Sequence, residues 1–266
     1  MIFDTLKEKC EYYRNLADDR FIPNMPLLVM VDGRSFSSLV KKRFNLPFDE
    51  DFVAMMNDVA MTLCKEIQGC KFAYVQSDEI SLFIDDNFES DSYFGWRKCK
   101  LLSIIASIAS ARMTHLFALY LTQKLINTIS HPTVESLLES LKTSVEVQFD
   151  CKCWNVPNYN EVFAWFLYRQ NDCVRNSKQQ VAQTYLPNKS LNGLNTDEQI
   201  KKLKEEKGID WNGFEPSVKY GRLVYNQKKE KVGKDGEIKI RPNWIVMNCP
   251  QWKDEENREF FDSLIN

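Results

Sequence analysis

The sequence predicts an α+β fold: an antiparallel sheet built in the order βαββαβ, with helices on one face, followed by a C-terminal α/β extension. Three observations predict it. Short apolar runs at 27–31 and 71–84 are rich in β-branched and aromatic residues, as strands are. Longer segments at 48–67 and 97–125 have the length and apolar content of helices. Val145, Val147 and Phe149 then alternate along a run that ends near Trp154, which returns the chain to a strand.

Each element has its own signal. Leu6, Cys10, Tyr13 and Leu16 are spaced for a helix over 4–17, and Pro23 and Pro26 bracket an extended entry to the first strand. After Asp32-Gly33-Arg34 comes a loop or short helical turn through Phe36 and Leu39. Pro47-Phe48-Asp49-Glu50 opens a helix with acids in its first turn, where the helix dipole favours them, and Gly69 closes it after Ile67. The run 71–84 reads as a tight hairpin with Ser77, Asp78 and Glu79 at its tip. A loop at 86–92 precedes the long apolar helix, Pro132 interrupts the pattern, and 133–142 reads as a short extra helix. Thr143–Trp154 is the fourth strand. Beyond it, 160–183 reads as a helix, 201–207 as a short solvated one, and 219–225 with 238–247 as a hairpin whose connection carries the turn signal Asp235-Gly236. The expected organisation is a palm-like (ferredoxin-like) catalytic core over 1–154 and an extension over 155–266 packed on it as one continuous domain.

Composition narrows the class. A chain of 266 residues with 44% hydrophobic and 12% aromatic residues builds a folded core. A net charge of -2 carries no global basic bias, so any nucleic-acid contact must rest on local patches. Eight cysteines without a C-x-x-C pair, and only two histidines, His115 and His131, argue against a zinc site. The cysteines read as small buried hydrophobes of a reducing, cytoplasmic compartment, with Cys151 and Cys153 read onto opposite faces of their strand. The N-terminal segment carries acids early and no apolar core, so no signal peptide is expected. The apolar stretch 101–121 holds Ser103, Ser107, Ser110, Arg112, Thr114 and His115, which suits a buried core helix and not a membrane span.

The chemistry is expected where carboxylates meet. Asp78 and Glu79 are adjacent acids at the tip of an otherwise buried hairpin. Buried carboxylates lose hydration and repel, so a cation should face them, although Ser, Asp and Glu also make an ordinary solvated turn. The strand 26–31 delivers a second carboxylate, Asp32, followed by Gly33, which lets a ligand approach the main chain. If the two segments are neighbours, Asp32 and Asp78 converge. Two carboxylates plus a backbone carbonyl suit Mg²⁺, and pairs of such ions serve phosphoryl transfer. With only nine glycines and no Walker-type loop, phosphates would be held by metal and basic side chains.

Three motifs together carry a resemblance. Val31-Asp32-Gly33-Arg34-Ser35-Phe36, Tyr74-Val75-Gln76-Ser77-Asp78-Glu79-Ile80-Ser81 and Tyr168-Arg169-Gln170-Asn171-Asp172-Cys173 resemble the tRNA-His guanylyltransferase family and its Thg-like branch, over roughly residues 5–225. The resemblance implies a reverse polymerase with a palm-like core and two Mg²⁺ ions. A 5′-monophosphorylated tRNA is activated by ATP or GTP, and the 3′-hydroxyl of an incoming nucleotide attacks the activated end. It implies that Asp32, the Gly33 carbonyl and Asp78 hold the metals, with Glu79 supporting them as a third catalytic acid. It implies a nucleotide site made of Gly33, Arg34, Ser35, Phe36 and Ser77, with Arg97 and Lys100 at the start of the long helix facing a triphosphate. A basic pair there opposes the helix dipole and gains from an anion, although a solvated helix start has the same sequence. Arg169, Arg175 and Asn176 read either as RNA contacts or, with Asp172, as an intrahelical salt-bridge face. The implied partners are tRNA and nucleoside triphosphates, without a membrane, in a homotetramer or dimer of dimers.

Two departures matter. Val174-Arg175-Asn176-Ser177 stands where the eukaryotic histidine-tRNA enzymes carry His-Ile-Asn-Asn, and resembles instead the branch that repairs 5′-truncated tRNAs by templated addition. Leu46 stands where some members carry a phosphate-binding lysine, so Lys41, Lys42 or Arg43 would have to supply that contact. Two other readings use the same residues: a cyclase-like nucleotidyltransferase acting on free nucleotides, which needs no RNA surface, and a non-catalytic RNA-binding module, which tolerates loss of Asp32 and Asp78.

Overall fold

The structure is a computed structural model that describes residues 3–16, 18–85, 93–128, 133–142, 146–232 and 238–265. The chain runs α1 (Leu6–Asn15), β1 (Leu27–Gly33), α2 (Phe36–Arg43), α3 (Glu50–Glu66), β2 (Cys70–Gln76), β3 (Glu79–Ile84), α4 (Lys98–Thr128), α5 (Val134–Lys142) and β4 (Phe149–Asn155). The extension continues with α6 (Tyr159–Tyr185), α7 (Asn188–Leu191), α8 (Thr196–Lys207), α9 (Pro216–Lys219), β5 (Arg222–Asn226), β6 (Lys229–Val232), β7 (Ile238–Arg241), β8 (Trp244–Asn248) and α10 (Arg258–Ile265). The expected loop at 86–92, His131 and Pro132, the strand start at 143–145 and the turn Asp235-Gly236 lie outside the described residues.

The sheet has six strands in the order β4-β1-β3-β2-β5-β8, each neighbour antiparallel. Its first four strands are the expected βαββαβ unit. The side-chain period of two divides every strand between two cores. Val29, Val31, Val75 and Leu82 point to the face covered by α3 and α4. Leu28, Phe72, Tyr74, Phe83 and Leu223 point to the opposite face, covered by α6 and α10 through Phe166 and Phe261. The core helices thus occupy one face, and the extension supplies the cover for the other.

The helices follow from their sequences. The Asp49 carboxylate caps α3 by accepting from Phe52 N, and Met56, Val59, Ala60 and Leu63 form its buried stripe. In α4 every fourth residue from Leu101 to Phe117 is buried. By length and composition α4 could cross a membrane, and this buried row packs instead into the sheet core. Its interior hydroxyls have a use: Thr114 Oγ1 accepts from Val147 N at 3.0 Å and Ser110 Oγ from Phe149 N at 3.0 Å. These bonds capture the backbone before β4, so residues 146–148 are not strand and β4 starts later than the alternation predicts.

Two further expectations are corrected. Cys151 and Cys153 share a face, as residues two apart on a strand must, and their Sγ atoms lie 3.7 Å apart. The C-terminal hairpin is interrupted: β5 pairs with β8 in the main sheet, and β6 with β7 in a separate ribbon. Asn226 Oδ1 accepts from both Lys228 N and Asn243 N and pinches the chain between the two.

Candidate active site

Register brings the acids together. Asp32 is the cross-strand partner of Glu79 on β3 and of Asp150 on β4, and Glu79 is in turn opposite Gln76 on β2. One row of polar side chains therefore crosses four strands at one end of the sheet, on the face of α6. The hairpin turn sits over this row. Gly33 N donates to Asp78 O at 3.2 Å, which ties the turn to the end of β1. A Cβ on Gly33 would lie 2.4 Å from the Phe36 ring, so only glycine permits this packing. Ser77 takes a left-handed conformation at φ 45°.

A cleft of about 210 Å³ opens here, lined by Asp32, Ser77, Asp78, Glu79, Arg169 and Asn176 among others. The two aspartates thus meet as the strand and hairpin motifs required. Burial pushes the Asp78 carboxyl up to about 6; hydrogen bonds from its own backbone and from Ser77 oppose this, and the charges of Asp32 and Glu79 add to it. Burial, and then the charge of Asp150, also raise Asp32, against Lys152 and Arg169. Among the described residues no lysine or arginine forms an ion pair with Asp32 or Asp78.

Glu79 differs. Arg169 Nε donates to its Oε1 at 2.8 Å and Nη2 to its Oε2 at 2.5 Å, and Gln76 Nε2 donates to Oε1 at 3.2 Å. Against the burial that pulls it down, the charge of Glu79 and then of Asp172 hold the Arg169 guanidinium above its ordinary range. Both Glu79 oxygens accept from protein donors, which ties this acid to Arg169 and Gln76, whereas among the described residues Asp32 and Asp78 have no such pair. The same pair removes Arg169 from the predicted RNA contacts: at 8% exposure it faces inward. Arg175 is exposed and bonds to Asp172, while Asn176 lines the cleft and stays 3.5 Å from Asp172. The face from 169 to 176 is therefore an intrahelical network in part, as its spacing allows.

The predicted nucleotide residues separate into three places. Ser77 lines the cleft, and Gly33 adjoins it through its bond to Asp78. Arg34 and Ser35 line a different groove with Ser38, Lys42 and Gln148, while the ring of Phe36, otherwise part of the core, also lines a second cavity with Ser77 and Asp78. Arg97 and Lys100 are at the far end of the sheet, since β3 leads from the acid row at Glu79 to Ile84, and α4 begins beyond it. Ser110, level with Phe149 at the acid end, is twelve residues after Lys98, or roughly 18 Å along the helix. Within one chain neither cation reaches the cleft, and Arg97 is paired with Asp18. The second cavity, of about 420 Å³, shares Ser77, Asp78, Asn176 and Gln180 with the first and is lined by Lys41 and Leu46. Lys41 thus lines the same cavity as Leu46, while Lys42 and Arg43 line the other groove.

Sequence reasoning missed Asp150 and Arg222. Asp150 was visible only as one residue of an alternating strand. Arg222 was visible as a charge heading an apolar strand, a position that needs a reason.

Comparison with known proteins gives these features a context. A family model described as tRNAHis guanylyltransferase matches residues 7–157. The probable tRNA(His) guanylyltransferase of Mus musculus is 26% identical over 236 residues, 85% of this chain and 73% of that protein. The probable tRNA(His) guanylyltransferase of Dictyostelium discoideum is 22% identical over 271 residues, 97% of this chain and 98% of that protein. A solved bacterial tRNA(His) guanylyltransferase-like protein in complex with ATP superposes with a TM-score of 0.79 at 26% identity, covering 98% of this chain and 99% of that one.

Proposed function

The chain belongs to the tRNAHis guanylyltransferase family and is a nucleotidyltransferase, and from that premise we propose that it adds nucleotides to the 5′ end of tRNA in the 3′-to-5′ direction with the help of Mg²⁺. The observation that carries this reading is the meeting of Asp32 and Asp78 over Gly33 at one cleft. Their donor set fits the metal. Two oxygen ligands without a cationic partner, both raised by burial and by neighbouring acids, gain from a divalent ion. Among the described residues no group of three or more acidic, histidine or cysteine side chains is placed to hold a metal. The chain would then supply two carboxylates and the Gly33 carbonyl, and substrate phosphates and water the remaining positions. Bound there, Mg²⁺ would neutralise charge on the phosphoryl oxygens and clamp the leaving pyrophosphate.

The protein's own residues would do the rest. The Glu79–Arg169 pair fixes α6 against the hairpin, so that Asn176 and Ser77 keep their places on the cleft wall. Two cavities that share Asp78 support a reaction with two substrates, a triphosphate in one and the RNA 5′ end or incoming nucleotide in the other. Lys41 is the candidate phosphate contact in the second. ATP as a substrate is supported by the bacterial relative's ATP complex, and GTP by the guanylyltransferase family to which the chain belongs. The Arg175-Asn176 pair in place of Ile-Asn favours templated repair over obligate guanylylation of tRNA-His.

The same reading includes 1–154 as the catalytic core, a cytoplasmic enzyme, and a homotetramer or dimer of dimers. Exposed Leu119 and Ile126 on α4, with Val134 and Leu138 on α5, offer an apolar surface for a second copy. The test is incubation of a 5′-truncated tRNA and a full-length tRNA-His with Mg²⁺ and each triphosphate, followed by mapping of the extended end. Templated extension of the truncated 5′ end is expected. Extension at the 3′ end, or turnover of free nucleotides alone, would overturn the proposal in favour of the cyclase-like reading.

A further inference from the structure

The face of the sheet that carries α6 is covered unevenly. Over β2, β3 and β5 it is closed, and Phe72, Tyr74, Phe83 and Leu223 are buried there. Over β1 and β4 it forms a more open shelf. Asp150, Lys152 and Trp154 alternate onto it from β4, opposite Asp32, Met30 and Leu28 of β1. Asp150 and Lys152 are exposed, and Asp32, Met30 and Trp154 are half-buried. The shelf is bounded on one side by β4, the outermost strand, and on the other by α6, which presents Trp165 and Tyr168.

The α6 wall is aromatic and held in place. Trp165 Nε1 donates at 3.3 Å to the hydroxyl of Ser81, the cross-strand partner of Met30, so its ring leans over the row that begins at Lys152. The Trp154 ring meets the Trp165 ring edge to face at 4.7 Å, and the Tyr168 ring lies 5.8 Å from Trp165. The Arg169 guanidinium, itself gripped by Glu79, lies 5.2 Å from the centre of the Tyr168 ring and braces it. Tyr168 is nevertheless 57% exposed. An exposed tyrosine alone needs no explanation. This one is fixed beside a tryptophan pair, on a shelf that carries a lysine and leads into the acid row.

The lysine is available. Among the described residues Lys152 forms no ion pair. It stands two residues from Asp150, about 7 Å along the strand. Burial and then Asp150 raise the Asp32 carboxyl, and Lys152 is near enough to oppose them. An open aromatic ring with a cation nearby suits an unpaired nucleotide, whose base stacks on the ring while its phosphate meets the amine. A paired strand keeps its bases within the duplex stack and cannot use the ring.

We propose that this shelf holds the unpaired strand left opposite a truncated RNA 5′ end, with Tyr168 stacking on a base and Lys152 meeting a phosphate. The inference rests on the proposed function in taking RNA as the ligand, and it adds which surface holds the single strand beside the acids. Both side chains are positioning residues.

The test is fluorescence anisotropy with the full chain in Mg²⁺ and no triphosphate, comparing a labelled blunt RNA hairpin with the same hairpin carrying a short unpaired 3′ overhang. The wild type should bind the overhang form roughly tenfold more tightly. Tyr168→Ala should remove that gain and leave the blunt hairpin unchanged, whereas Tyr168→Phe, which keeps the ring, should retain it. Lys152→Gln should weaken the overhang form alone and reduce the slope of its salt dependence by about 0.7. Should Tyr168→Ala fail to fold, the exposed Lys152 carries the test. A wild type indifferent to the overhang, or variants that weaken both hairpins equally or neither, would overturn the assignment. Binding needs no turnover, so a chain that prefers the overhang yet extends no RNA would overturn the proposed function and not this inference, and extension without that preference would do the reverse.

Discussion

Arg169 forks onto Glu79 across the end of the sheet, with the two side chains only 10% and 11% exposed. The pair joins α6 to β3 beside the cleft and ties the third acid of the site to a cation of the protein. Breaking it from one side strands a buried charge. Arg169→Ala should lower unfolding free energy by about 3–5 kcal/mol, measured by urea denaturation. The double variant Glu79→Gln/Arg169→Met, which removes both charges at similar volume, should recover most of that loss.

The raised Asp78 carboxyl makes a signed prediction. Its folded value of about 6 lies above the ordinary 3.8. Between these values the folded state binds more protons than the unfolded one, so the group's contribution to stability falls as pH rises through 6. Without divalent ions, Asp78→Asn should therefore be more stable than the wild type at pH 7.5, by roughly 1–3 kcal/mol. The gap should close as pH falls towards 4. Melting curves across pH check this, and added Mg²⁺ should stabilise the wild type and not the variant.

Gly33 is packed against Phe36 with no room for a side chain. Gly33→Ala should cost about 1–3 kcal/mol of stability through overpacking. Nucleotide affinity should fall with it, because β1 and the hairpin turn are joined at this residue. Denaturation and nucleotide titration on the same preparation test both.

Lys41 lines the second cavity beside Leu46. Lys41→Ala should weaken binding of a triphosphate several-fold and affect a nucleoside little, with the difference shrinking at high salt. Leu46→Lys should move affinity the other way. Titrations at two ionic strengths separate this charge effect from a packing effect.

Much of this was legible because the signals are local. A strand ending in Asp32-Gly33 and a hairpin turning at Ser77-Asp78 each place a carboxylate at a strand end, and antiparallel pairing brings those ends together. Helix spans and caps follow from spacing in the same way, as at Asp49 and α3. What was not legible depends on direction and on packing partners. Arg97 and Lys100 open a helix, and the sequence marks that opening. Only the path of β3 away from its tip shows that the helix starts at the opposite end of the sheet. Arg169 reads as one member of a polar helix face, yet the face turns inward because Glu79 waits across the strand. Arg222 carried a single hint, a charge at the head of an apolar run, and its unpartnered Nη2 appears only once Asn57 and Ser217 are in place.

The central claim is that Asp32 and Asp78 act together to drive nucleotide addition at an RNA 5′ end. The most direct measurement follows incorporation of labelled nucleotide into a 5′-truncated tRNA by the wild type, Asp32→Ala and Asp78→Ala, with the fold of each checked by circular dichroism. Both variants should stay folded and show no incorporation above background. A folded variant of either kind that still extends the RNA would contradict the account.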